Sequence, residues 1–84
     1  MRFTVAGQGF DLDHDGVKQA LKGHKPVRDG RNKHFIHVRG VAWPVKQVLG
    51  LATGIDPISY PTSEAVRVLT RCGFVVGPDE KKED

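Results

Sequence analysis

Proline and glycine divide residues 44–73 into two short segments that can each be helical and cannot merge, and this punctuation constrains the chain more than any other feature. Pro44 stands where proline is favoured, at the first position of a helix, because its missing N–H would be unpaired there anyway. Val45, Val48, Leu49 and Ala52 follow at i, i+3, i+4 and i+7 and make one apolar face, with Lys46, Gln47, Gly50 and Thr53 on the other. Gly54 supplies the stop. "IDPISYP" contains two prolines and cannot extend the helix. A second helix is expected to open at Thr62, read as its N-cap, with Ala65, Val68, Leu69 and Cys72 buried until Gly73, and "FVV" is expected to close as a strand.

Upstream, "RFTV" and, less clearly, "GFDL" read as strand, and Val17, Ala20 and Leu21 recur at helical spacing before Gly23, with Lys18 and Lys22 facing outward. "HFIHV" alternates, and Arg39-Gly40 suits a two-residue hairpin turn before the return segment "VAW". Between them, "GHKPVRDGRNK" is the most basic stretch and reads as a loop or hairpin. The fold class expected is α+β, one small domain over residues 1–78, winged-helix or helix-turn-helix-like with a β-hairpin. Residues 79–84, "DEKKED", have nothing to pack and are expected to form a disordered charged tail.

"DLDHDG" presents Asp11, Asp13 and Asp15 followed by Gly16, the first half of a calcium-binding EF-hand loop. The twelfth position, where a bidentate Glu closes such a loop, is Lys22. The expected role is therefore helix capping by Asp13 and Asp15, where free N–H groups favour carboxylates. His34 and His37 are expected on opposite faces of a strand and so do not share a metal; a zinc site would need His14, His24 or Cys72 brought close. Cys72 reads as a small core residue and Trp43 as a core anchor. No metal and no cofactor is expected, nor is catalysis.

Charge directs the functional reading. The net charge is +3, but the terminal "DEKKED" holds four acids and two lysines, so residues 1–78 are more basic than the whole. Such a surface suits a polyanion. Ser63, Arg67 and Arg71 lie at i, i+4 and i+8, one ridge roughly opposite Leu69, and a hydroxyl with two guanidinium groups can meet phosphates or the O6 and N7 of guanine. A solvated ridge is the competing reading, and Glu64 on the same helix would repel phosphate. The segment from Lys25 to Arg39 adds Lys25, Arg28, Arg31, Lys33 and Arg39, and Tyr60 and Thr62 in the connector are further candidates for DNA contact. A single cysteine, no signal-peptide pattern and no long apolar span predict a cytoplasmic protein with no membrane contact.

The run "HFIHVRGVAWPVKQVLGLATGIDPISYPTSEAVRVLTRCGF" resembles a small domain found beside catalytic modules in bacterial modification-dependent restriction endonucleases of the HNH type. The likeness covers residues 34–74 and rests on the x-Gly hairpin turn, the aromatic-Pro-x-Lys helix start, the Gly-ended apolar helix and the second helix ending "L-x-x-C-G-F", with Cys72 where Leu is expected. The resemblance implies a nucleic-acid-associated accessory domain and not a nuclease, since "HFIH" lacks the partner residues of a His-Asn-His site. It places Lys46 in the first turn of the supporting helix, within reach of a phosphate. DNA is thus the expected partner, with a homodimer or a separate protein partner needed for tight specific binding. The alternative is a small protein-interaction module, such as an antitoxin, a phage-type inhibitor or an accessory subunit, meeting an acidic partner.

Overall fold

Two positive-φ dipeptides set the β structure. The computed structural model describes residues 1–27 and 33–77. Ala6 (φ 51°) and Gly7 (φ 80°) turn β1 (Arg2–Val5) into β2 (Gln8–Asp11), and Arg39 (φ 53°) and Gly40 (φ 78°) turn β3 (Phe35–Val38) into β4 (Val41–Pro44). Both are two-residue turns with positive φ at each centre, the twist that matches antiparallel strands. Val5 pairs with Gln8 and Val38 with Val41, and the two hairpins form separate sheets. The Arg39-Gly40 turn is as the sequence predicts; Ala6-Gly7 has the same x-Gly form and the same positive φ at a non-glycine residue, but the strand after it, interrupted by Gly9, carries a weaker strand pattern.

α1 (His14–Ala20) starts where Asp13 accepts a hydrogen bond from the Gly16 N–H at 2.7 Å. Asp13 is the cap expected of it. Asp15 lies in the first turn, where the macrodipole favours it, and Asp11 accepts from the Met1 ammonium at 2.8 Å. α2 (Val45–Thr53) ends on Gly54 in the left-handed region (φ 79°). α3 (Thr62–Arg71) ends with the Gly73 N–H on the Thr70 carbonyl and the Phe74 N–H on the Leu69 carbonyl, the paired bonds of a Schellman motif.

Four local expectations need correction. Pro44 is not the first helical residue; it ends β4 opposite Phe35, in extended backbone that serves as the cap of α2, and Val45 donates to the His34 carbonyl. Thr62 is the first residue of α3 and makes no cap bond, because Pro61 fills the cap position. "FVV" is not a strand. The Phe74 N–H is spent on closing α3 and its ring stacks on His14 at 4.2 Å, and among the described residues after α3 it is Gly77 that pairs with β3, in an isolated bridge to Phe35. The α2–α3 connector is also longer than the three- or four-residue turn of a helix-turn-helix. It runs from Gly54 to Pro61 and folds around a 3₁₀ turn (Pro57–Ser59) begun by Asp56, whose carboxylate accepts from Ile58.

One core joins these elements. α2 packs on α1, α3 and β4, and Val48 and Leu49 of α2 are fully buried with Val5, Val17, Ile36, Val68 and Leu69. Each such side chain contributes about 1.5–3 kcal/mol of transfer free energy, which in a domain this small leaves little redundancy. The result is a small α+β domain of two antiparallel hairpins and three helices.

Candidate nucleic-acid interface

The core fixes which side of α3 faces out. Ala65, Val68 and Leu69 are fully buried and Cys72 nearly so, while Ser63, Arg67 and Arg71 are exposed. Burial also raises the Cys72 thiol above its usual range, which suits a packing residue rather than a nucleophile. At about 100° per residue Thr70 falls beside Ser63 and Arg67 on the same stripe, and it too is exposed. Thr70 was legible from the same spacing that selects Ser63 and Arg67.

Glu64 is half-buried rather than free at the front of this helix. One carboxylate oxygen lies 3.7 Å from Arg67 Nη2, and the other accepts from the Ala6 N–H at 3.4 Å. It therefore reaches towards the β1–β2 turn and lies beside Arg67, in a long, solvent-exposed pair of the kind that contributes little.

Tyr60 does not face a ligand. Only 3% of it is exposed, and its hydroxyl donates to the Lys46 carbonyl at 2.6 Å, stitching the connector to the first turn of α2. Burial and, secondarily, the Asp56 carboxylate push its pKa up to about 12. The reading of Tyr60 as a sugar or phosphate contact is corrected by this packing. Lys46 Nζ sits 5.8 Å from the centre of the Tyr60 ring, so the ammonium is held over the connector by a cation–π contact. Lys46 and Thr62 both border an open groove of about 940 Å³ between α2 and the 3₁₀ turn.

The other predicted cations are dispersed. Arg39 is exposed at the tip of the β3–β4 hairpin and Lys33 precedes β3. Lys25 is exposed, and its backbone is pinned to α2 by Gln47, whose amide donates to the Lys25 carbonyl at 2.7 Å and accepts from the Val27 N–H at 2.8 Å. Arg28, Arg31 and the predicted tail at 79–84 lie outside the described residues. Among the described residues, no group of three or more His, Cys, Asp and Glu could hold a metal ion, and no helix is long and apolar enough to cross a membrane.

The structure thus brings Ser63, Arg67 and Arg71 together, adds Thr70, and separates Lys46 and Thr62 into the groove and Arg39 onto the hairpin. A family model described as SCO5918-like matches residues 1–84. No curated protein and no solved structure matches the chain.

Proposed function

The chain belongs to the SCO5918-like family, and we propose that it binds DNA without catalysing a reaction, presenting α3 as a reading helix supported by α2 in a helix-turn-helix-like arrangement. The observation that carries this reading is the exposed stripe of Ser63, Arg67, Thr70 and Arg71 on a helix whose opposite side is locked in the core. Two guanidinium groups on a rigid element can chelate phosphate oxygens or guanine edges in the fork geometry that lysine lacks. The β3–β4 hairpin, with Arg39 at its tip, serves as the wing, and Lys25, Lys33 and Lys46 supply phosphate neutralisation at the flanks. In this role the domain acts as an accessory to a catalytic partner, as the resemblance of residues 34–74 to restriction-associated domains implies.

A second reading has its own observation. The groove beside Lys46 is lined largely by apolar side chains, and Ile58 on its rim is 85% exposed, which suits a protein-interaction module. An electrophoretic shift with mixed genomic fragments at two salt concentrations separates the two. DNA binding predicts retarded complexes that weaken steeply with salt. The absence of any shift at low salt would leave the interaction module as the better reading.

A further inference from the structure

The groove between α2 and the 3₁₀ turn holds apolar residues where solvent reaches them. Val27, Pro57 and Ile58 are exposed and Leu51 and Ile55 partly buried, so this wall is only in part spent on the core. Both banks are held by hydrogen bonds. On one, Gln47 clasps the Lys25 carbonyl and the Val27 N–H. On the other, the Asp56 carboxylate accepts from the Ile58 N–H at 3.1 Å, the Ser59 N–H donates to the Asp56 carbonyl, and the Tyr60 hydroxyl ties the connector to Lys46. A surface ordered in advance loses little freedom when it is covered. Ile58, 85% exposed, stands on the rim beside the recess, so an apolar knob and an apolar hole share one face. Among the described residues of the lining, Lys46 and Asp56 are the charged ones, one of each sign.

We infer that this face takes a second copy of the chain about a two-fold axis, with Ile58 of each copy in the groove of the other and Lys46 of each against Asp56 of the other. The inference is independent of the DNA reading and narrows the interaction reading to one occupant. In a two-fold contact a patch meets itself, so it must carry both members of every pair. This patch does, with knob and recess, ammonium and carboxylate. A strongly acidic partner would be repelled at Asp56 and a strongly basic one at Lys46, whereas a second copy satisfies both charges. An ammonium has three donors, so Lys46 paired in this way can still meet a phosphate at the rim. The groove offers fewer residues than the about 20–30 a side of a standard interface, which places the dissociation constant in the micromolar range rather than below it.

The test is sedimentation velocity on the full chain, without nucleic acid, from about 1 µM to about 1 mM. The mass should rise with concentration from that of one chain to that of two and stop there, because a two-fold contact closes. Ile58→Asp should weaken association at least about tenfold, since it puts an unpaired carboxylate into an apolar recess, with an unchanged thermal melt because Ile58 is exposed in the single chain. Lys46→Glu and Asp56→Lys should each associate at least about tenfold more weakly alone, where like charges face each other, and should pair when mixed, where both contacts join opposite charges. If Asp56→Lys fails to fold, Asp56→Asn keeps an acceptor for the Ile58 N–H, and its mixture with Lys46→Glu should associate more tightly than Lys46→Glu alone. A parent that stays at the mass of one chain, growth past two chains, a folded Ile58→Asp that associates as the parent does, or charge variants that gain nothing on mixing would each overturn the inference. The electrophoretic shift is read separately. A single-chain parent that shifts no DNA would lose this occupant and keep the interaction reading, and a dimer that shifts DNA would keep this occupant beside the α3 reading.

Discussion

Tyr60 carries more structural weight than its place between two prolines suggests. Its ring closes the core under the connector and its hydroxyl supplies a hydrogen bond to the first turn of α2. Tyr60→Phe keeps the ring and removes the bond, so it should cost about 1 kcal/mol in a denaturant titration. The pH dependence follows from the same burial. In the folded chain Tyr60 stays neutral up to about pH 12, whereas unfolded it releases its proton near 10.0. The unfolded state therefore binds fewer protons between those values, and this contribution to stability is complete below pH 10 and lost as the pH rises towards 12. Tyr60 is the one tyrosine, so Tyr60→Phe should melt with a smaller loss of Tm across that window than the parent. None of this was legible in the sequence. "IDPISYP" reads as loop, and whether an aromatic residue in a loop points in or out depends on what lies beneath it. Asp13 is the opposite case, because its capping bond depends only on residues three positions away.

At the scale of elements, the helices were legible, as were the Asp13 cap of α1 and the Gly54 end of α2, but the starts of α2 and α3 were not. Of the positions that periodicity selects on α2 and α3, Val45, Val48, Leu49, Ala65, Val68 and Leu69 are buried and Ala52 is half-buried, since periodicity follows directly from helix geometry. The start of α2 at Val45 and the bridge at Gly77 depend on His34 and Phe35, distant in sequence, so local residue preferences missed them, whereas the cap of α3 is the adjacent Pro61 and was missed because Thr62 is the commoner capping residue. Gly50 shows how far such a partner can reverse local expectation. In an isolated helix, Gly50→Ala would add about 1 kcal/mol of stability. Here the new methyl group would lie 3.1 Å from Pro57 Cγ, 3.2 Å from the Ile55 carbonyl and 3.2 Å from the Tyr60 hydroxyl. All three belong to the connector that Tyr60 and Asp56 hold in place, so Gly50→Ala should destabilise by about 1 kcal/mol in urea, against its propensity. Asp13→Ala, which removes the cap of α1, should cost about the same amount without changing any buried contact.

At the scale of the molecule, the fold is a core with one stripe of guanidinium and hydroxyl groups held rigidly outward, and the proposed function rests on that stripe. The spacing of Ser63, Arg67 and Arg71 was visible in the sequence, as was the basic balance of residues 1–78. The placement of Glu64 was not, because its second partner, the Ala6 N–H, belongs to a turn 58 residues away. Since both arginines project from the core, Arg67→Ala with Arg71→Ala should leave the thermal melt nearly unchanged, so any change in binding is a property of the surface. The decisive measurement is the affinity of parent and double variant for the same labelled duplexes across a series of salt concentrations. If each arginine holds a phosphate, the variant should weaken on all sequences and its log–log salt slope should fall by about two units; if either reads a base, the loss should be about 1–3 kcal/mol on the preferred sequence. A folded double variant that binds every duplex with the parent's affinity and salt slope would contradict the assignment of α3 as the DNA-binding element.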